Sequence, residues 1–171
     1  MTSSFHDGFV ELFNAEFHRL YRYLDRLSGD ADLAADLAQD AFVRLYRRGT
    51  LPDVPEAWLI TVATNLFRNA RATQSRRARL LTAARASDVA GDPPGEPGAA
   101  LEQPESRGRV RAAIDRLSDR ERQLLLLRAD GYSYRDIAVA LNLNERSVGT
   151  LLARAKRAFL AAFRDGPPHA P

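Results

Sequence analysis

The sequence predicts an all-α protein in which two small helical domains are joined by a flexible acidic linker rich in proline and glycine. Apolar residues recur at steps of three and four in both halves of the chain, as in amphipathic helices. No segment shows the sustained alternation that is typical of a strand. Between the halves, residues 87–106 contain four prolines, three glycines and five acids. Such a segment buries too little apolar surface to offset its ordering entropy, so we expect a linker.

The first predicted domain, residues 1–86, contains three helices. An apolar stripe from Phe9 to Leu24 predicts the first helix. Helix-breaking and helix-capping residues predict the remaining boundaries. Gly29 ends the first helix and Asp30 is the N-cap of the second. Gly49 ends the second helix, and Pro55 lies in the first turn of the third. The third helix continues into an arginine-rich stretch.

The second predicted domain, residues 107–165, contains four helices. Ser118 with Glu121 fits a capping box, while Ser133 and Asn144 are suited to cap the two helices that follow, the last running to about Phe163. Asn142 stands where a tight turn needs a left-handed residue. Residues 166–171 are predicted to be a disordered tail.

The amino-acid composition excludes several kinds of functional site. The chain of 171 residues has no cysteine, which excludes disulfides, thiolate catalysis and cysteine-ligated zinc. Its three histidines are too scattered for a metal site, and no glycine-rich phosphate loop is present. We therefore expect no cofactor, metal or small-molecule substrate, and no enzymatic activity. The absence of a long apolar stretch or a signal-peptide pattern predicts a cytoplasmic protein without membrane insertion.

The charge is distributed unevenly along the chain. The whole chain carries +3, but the linker carries −5 and residues 107–171 carry +6. A cationic unit of this kind favours a polyanionic partner.

The last two predicted helices have the spacing of a helix-turn-helix. Their apolar positions are Ile137, Ala138, Leu141, Leu143, Val148 and Leu152. Polar residues lie on the opposite face of the second helix, whose first turns would enter the major groove of DNA in this motif. The alternative interpretation is a plain helical hairpin with a solvated charged face.

The second and third helices of the first domain differ in charge. The second opens with Asp30, Asp32, Asp36 and Asp40 and has no base before Arg44, whereas residues 64–86 hold six arginines and no acid. Trp58, Asn65 and Phe67 lie in or beside the basic stretch, and arginines interleaved with aromatic and amide groups suit unstacked bases. Alternatively, the acids only complement the helix dipole, and Trp58 and Phe67 are core residues.

The segments that carry a family resemblance are 20–24 (LYRYL), 36–42 (DLAQDAF), 55–63 (PEAWLITVA) with Asn65, 117–122 (LSDRER) and 131–138 (GYSYRDIA). In these segments the chain resembles a bacterial RNA polymerase sigma factor of the extracytoplasmic-function (ECF) group, and the resemblance covers nearly all of the chain outside linker and tail. The chain departs from the family at Thr64, where arginine is usual, and at Asn69, where an acid is frequent. It also reads Gly149-Thr150-Leu151 where a Lys-Ser-Arg run is common.

The resemblance implies a protein that binds core RNA polymerase, directs it to promoter DNA and helps to open the duplex. It assigns three sets of site residues. Core polymerase binding falls to Asp36, Gln39, Asp40 and Phe42. Recognition and melting of the −10 element fall to Trp58, Thr61, Asn65, Arg68, Arg71, Arg76 and Arg77. Recognition of the −35 element falls to Glu145, Arg146, Ser147, Thr150, Arg154, Lys156 and Arg157.

Two other functions stay open at this point. A stand-alone helix-turn-helix regulator would explain residues 107–165. It would give no function to the acidic second helix and the arginine-rich third helix of the first domain. An adaptor without a DNA role would not need the cationic second half. The resemblance also leaves an anti-sigma protein open as a partner.

Overall fold

The computed structural model describes residues 2–85 and 104–166, and within these ranges it contains helices and no strand. The helices of the first unit are α1 (Thr2–Ser28), α2 (Ala31–Arg48) and α3 (Pro55–Arg85). Those of the second unit are α4 (Pro104–Asp115), α5 (Asp119–Ala129), α6 (Tyr134–Leu141) and α7 (Glu145–Asp165). The all-α prediction is confirmed for the described residues.

Local capping sets the helix boundaries. The Asp30 carboxylate accepts a hydrogen bond from the Leu33 amide at 3.0 Å, and α3 begins at Pro55 as predicted. Ser118 and Ser133 each form a capping box, with Glu121 and Asp136 respectively. These side chains satisfy amides that the first turn of a helix leaves without a partner.

The turn between α6 and α7 also follows the prediction. Asn142 adopts a left-handed conformation with φ of 53° and ψ of 54°. Asn144 caps α7 by accepting from the Arg146 amide at 3.0 Å. The short helix α6 and the longer helix α7 are therefore joined by the three residues 142–144.

One predicted boundary needs correction. Helix α4 begins at Pro104, so the last three residues of the predicted linker, 87–106, are helical. Proline is favoured at the first position of a helix, and Glu105 complements the dipole there. Helix α7 ends at Asp165, within two residues of the expected end at about Phe163. The predicted flexibility of residues 87–103 and of the tail from 167 lies outside the described residues.

The first unit packs α1, α2 and α3 around one apolar centre. Tyr23 and Leu24 of α1, Leu45 of α2 and Leu59 and Ile60 of α3 are almost fully buried there. Each large apolar side chain withdrawn from water contributes roughly 1.5–3 kcal/mol. Phe67 is buried too, so its alternative interpretation as a core residue is confirmed.

The two units share a continuous core. Leu124, Leu127, Ile137, Val148 and Leu152 of the second unit belong to the same apolar cluster as the buried residues of the first. Helix α6 packs against α3, and α5 packs against α1. The second unit consequently sits on the α1–α3 side of the first.

Candidate protein and nucleic-acid interfaces

Helix α2 presents a mixed acidic and apolar face to solvent. Asp36 and Gln39 are exposed, and Asp40 lies 3.4 Å from Arg44 in a surface pair of small energetic value. Val43 and Tyr46 are exposed on the same stripe, three residues apart. Sequence reasoning missed these two residues, although their helical spacing from Asp36 and Asp40 would have identified them.

The predicted position of Phe42 at this surface needs correction. Its ring is only 2% exposed and lies 5.1 Å from Phe13, 5.9 Å from Phe17 and 6.1 Å from Phe9, measured between ring centroids. These three aromatic residues belong to α1. Phe42 therefore holds α2 against α1 and supports the acidic face from beneath.

Helix α3 carries the predicted melting residues on one side. Thr61, Asn65 and Arg68 are exposed and lie three or four residues apart, which places them on one face of the helix. Trp58 lies on the same stripe but is half-buried against the core, with its ring centroid 5.9 Å from the Arg48 guanidinium carbon. Its ring thus has both a core contact and a remaining exposed part.

Thr64, the residue before Asn65, connects α3 to α1 in the interior of the protein. Thr64 is buried, and its Oγ1 lies 3.2 Å from the hydroxyl oxygen of Tyr23, with which it shares a hydrogen bond. Burial raises the pKa of Tyr23 to about 12. Where the family usually has arginine, this chain therefore has an uncharged link from α3 to α1.

The second part of α3 extends away from the core. No residue of 68–85 is buried, and the stretch is about 27 Å long at the helical rise of about 1.5 Å per residue. Arg71, Arg76 and Arg77 are exposed along it, and Arg71 lies 5.6 Å from the Phe67 ring centroid. The extension is a cationic surface.

Helix α7 exposes all of its predicted DNA-binding residues: Glu145, Arg146, Ser147, Thr150, Arg154, Lys156 and Arg157. Its other side, with Val148, Leu152 and Ala155, is buried. Among the described residues, no carboxylate pairs with Arg146 or Arg154. These cations are available to an external polyanion.

The end of α6 lies beside the predicted melting residues of α3. The Thr61 hydroxyl lies 3.4 Å from the carbonyl oxygen of Ala140, at the end of α6. A cleft of about 390 Å³ separates the two elements, lined by Thr61, Asn65, Arg68, Gln123, Ala140 and Asn142 among others. The structure thus brings together residues that were predicted to belong to separate DNA-binding domains.

No group of three His, Asp or Glu side chains in residues 2–85 and 104–166 is arranged to hold a metal ion. None of the helices described there has the length and apolar character needed to span a bilayer.

The fold and these surfaces define a class of protein: an all-helical protein with an acidic surface on α2 and cationic surfaces on α3 and α7. Comparison with known families agrees: residues 12–77 match the family described as Sigma-70 region 2, and residues 107–159 match Sigma-70, region 4. The chain belongs to the sigma-70 family of sigma factors, in its ECF group. Its function is accordingly promoter-specific initiation of transcription with RNA polymerase.

Individual relatives support this assignment. The chain is 32% identical over 152 residues to the ECF RNA polymerase sigma factor SigE of Mycolicibacterium smegmatis, a match that covers 86% of this chain and 57% of SigE. It is 34% identical over 139 residues to EcfG of Rhodopseudomonas palustris, covering 77% of this chain and 70% of EcfG. It is 32% identical over 155 residues to SigL of Mycobacterium tuberculosis, covering 85% and 83%.

A solved structure shares the fold. The sigma factor RpoE in complex with the anti-sigma factor NepR from Bartonella quintana superimposes with a TM-score of 0.64, covering 92% of this chain and 97% of RpoE. The two sequences are 20% identical, so this likeness concerns the fold.

Proposed function

We propose that the two units divide the work of promoter recognition. The first binds core RNA polymerase through α2 and recognises and melts the −10 element through α3, while the second recognises the −35 element through α7. The observation that carries this proposal is the distribution of exposed charge. Asp36 is exposed on α2 close to Asp40, whereas exposed arginines that form no ion pair with a described carboxylate follow each other along α3 and α7: Arg68, Arg71, Arg76, Arg77, Arg146 and Arg154. The domain boundaries that we propose are 1–86 and 107–165, with the helical start of α4 preceding the second.

The polymerase contact is proposed for the exposed side of α2. Asp36, Gln39 and Asp40 would meet a basic helical element of the large subunit, as the family resemblance implies. Val43 and Tyr46 add apolar area beside the acids, which suits a protein interface because exposed apolar patches with a polar rim mark such sites. Phe42 acts indirectly by fixing the position of α2.

Duplex opening is proposed for α3. A base that leaves the stack needs an edge partner and a face partner, and Asn65 supplies an amide while the exposed part of Trp58 supplies a ring. Stacking on an aromatic side chain is worth roughly 1–3 kcal/mol per base. Arg68 and the extension with Arg71, Arg76 and Arg77 would hold the phosphates beside it.

The −35 contact is proposed for a helix-turn-helix formed by α6 and α7. Arg146, Ser147, Thr150 and Arg154, with Glu145 at the helix start, would face base edges. Lys156 and Arg157 would contact phosphates and fix the register. This arrangement compensates for the cations that are missing at 149–151.

The remaining parts of the proposal concern location and partners. We place the protein in the cytoplasm, where polymerase and promoter DNA are, and we propose that polymerase supplies all of the chemistry. The acidic linker would lie in a basic groove of polymerase. An anti-sigma protein stays open as a partner, and the fold shared with RpoE, which binds NepR, makes it reasonable to look for one.

The test is in vitro transcription with purified core polymerase, followed by mapping of the RNA start sites. We expect defined starts that require both the protein and the core enzyme. Salt-dependent binding to duplex DNA without polymerase, and no stimulation of transcription, would instead support a stand-alone regulator. Binding to polymerase without promoter selection would support an adaptor.

A further inference from the structure

The first residue of α6, Tyr134, lies against α7. A Cβ placed on Gly149 of α7 would stand 3.6 Å from Cε2 of Tyr134 and 3.9 Å from its hydroxyl oxygen, at ordinary van der Waals distance. The far end of the Tyr134 ring therefore rests on α7 at this glycine. The residue is 42% exposed, so a large part of its side chain faces solvent beside α7.

Arg128 of α5 also contacts this ring. Its guanidinium carbon lies 5.3 Å from the Tyr134 ring centroid, which is within the range of a cation–π contact. Nη1 of the same guanidinium donates a hydrogen bond to the carbonyl oxygen of Tyr132 at 3.2 Å, so Arg128 is itself held in place. The Tyr134 hydroxyl makes no hydrogen bond within the part of the chain that the structure describes. It is therefore available as a donor to an external group.

Gly149 borders the face of α7 for which the −35 contact is proposed. It follows Arg146 by three residues, and residues at this spacing are neighbours on a helix surface. The residue before it, Val148, is buried, and the residue after it, Thr150, is exposed. The Tyr134 ring thus lies at the edge of the exposed face, beside the turn that carries Arg146.

The small size of Gly149, and not its conformation, is what this contact uses. Gly149 does not have a positive φ, so the backbone does not require glycine there. Glycine inside a helix is also less favourable than alanine. A Cβ fits beside the ring, but the further carbons of a longer side chain, such as the lysine that is common at this position in the family, would have to share the space of the ring.

The position of Tyr134 indicates which part of DNA it meets. In a helix-turn-helix the second helix enters the major groove while the first crosses the sugar–phosphate backbone. The start of α6 then lies next to phosphate, and tyrosine hydroxyls are among the groups that contact phosphate oxygens. A phenol supplies one donor and no charge.

We propose that the Tyr134 hydroxyl donates a hydrogen bond to a phosphate at the edge of the −35 element, where the chain lacks a cation at position 149. Gly149 acts as a positioning residue, because it leaves room for the ring against α7. The inference rests on the proposed function of α7 and adds an uncharged contact to it. Only cations release counterions from DNA, so the affinity that this hydroxyl contributes does not weaken as salt is added.

Five variants separate the hydroxyl, the glycine and the function of α7. Tyr134→Phe removes the hydroxyl and keeps the ring. Gly149→Ala keeps the room for the ring, whereas Gly149→Lys fills it and supplies a cation. Tyr21→Phe makes the same chemical change on α1 and serves as the control. Arg146→Ala tests the proposed function of α7 itself.

Each variant is combined with core polymerase and titrated onto a fluorescent duplex. The duplex carries the −35 element of a promoter found by start-site mapping, or a sequence variant of it, and ends before the −10 element. Fluorescence anisotropy gives the binding constant over a series of KCl concentrations. Further duplexes carry an uncharged methylphosphonate in place of one phosphate at a time. Circular dichroism of the free variants reports whether the helices persist.

We expect Tyr134→Phe to weaken binding about tenfold, by the same factor on every sequence variant and with an unchanged slope of log K against log salt. The loss should disappear on the duplex whose methylphosphonate replaces the contacted phosphate. Gly149→Ala and Tyr21→Phe should bind as the parent does. Gly149→Lys should steepen the slope by about 0.9, since one more cation meets DNA, and in its background Tyr134→Phe should cause no further loss.

Parental binding by Tyr134→Phe together with weakened binding by Arg146→Ala would overturn the inference and leave the proposed function of α7 standing. A loss that depends on the base sequence, or one that no methylphosphonate removes, would overturn it too. So would an equal loss in the Gly149→Lys background, because the glycine would then not position the ring. If Gly149→Lys loses helical signal, the methylphosphonate duplexes decide. Parental binding by both Tyr134→Phe and Arg146→Ala would refute the proposed function of α7 and this inference with it.

Discussion

The hydroxyl pair between Tyr23 and Thr64 allows a quantitative prediction about how α3 is held. Replacing Thr64 by valine removes the partner of the Tyr23 hydroxyl and leaves the shape of the side chain almost unchanged. Tyr23 is fully buried, so its hydroxyl would lose a hydrogen bond without gaining one from water. Leaving one buried polar group without a partner costs about 1–3 kcal/mol.

The reverse replacement should cost less. In Tyr23→Phe the Thr64 hydroxyl can turn to the carbonyl oxygen one helical turn earlier, as threonine in a helix commonly does. The double variant Tyr23→Phe/Thr64→Val removes both polar groups and should be close to the parent in stability. Thr64→Arg, which restores the residue usual in the family, would place a charge in the same buried position and should destabilise most of all.

Urea unfolding followed by circular dichroism measures these differences. For a chain of this size, 1 kcal/mol corresponds to a shift of roughly 2–4 °C in Tm, so thermal unfolding provides a second reading. The reasoning would be refuted by additive losses in the double variant, or by an unchanged stability of Thr64→Val. Either result would mean that the two hydroxyls do not depend on each other.

Three further predictions concern the proposed contacts. Charge reversal at Asp36 and Asp40 should weaken binding to core polymerase in a pull-down or fluorescence titration while the helical signal is unchanged; undiminished affinity would argue against the acidic face. Replacement of Arg146 or Arg154 by alanine should lower affinity or discrimination at the upstream element by about 1–3 kcal/mol, measured over a set of promoter variants, and parental behaviour on all of them would show that these arginines make no base contact. Asn65→Ala should fail to transcribe a closed duplex and recover on a template with a pre-melted bubble, whereas equal defects on both templates would indicate lost folding or polymerase binding.

Features that depend on neighbouring residues could be predicted from the sequence. The caps at Asp30, Ser118, Ser133 and Asn144 and the left-handed Asn142 were all expected, because each satisfies amides or a turn within four residues. The exposed residues of α7 followed for the same reason, since helical periodicity places them opposite the buried side. Interactions within about four residues were sufficient to predict these caps, this turn and this exposed face.

Features that depend on distant parts of the chain could not be predicted. The family resemblance assigned Phe42 to the polymerase contact, whereas its ring packs against Phe9, Phe13 and Phe17 of α1. The contact between Arg26 and Asp130 joins residues 104 positions apart. The composition of the linker similarly concealed the start of α4, because a proline that disfavours a helix interior is favourable at its first position.

The continuous core between the units has a consequence for cooperativity. Leu20 and Tyr23 of α1 and Leu127 and Tyr132 of the second unit belong to one buried cluster, so neither unit can unfold without exposing apolar surface of the other. We expect the free protein to unfold in a single cooperative transition, with calorimetric and van 't Hoff enthalpies in agreement.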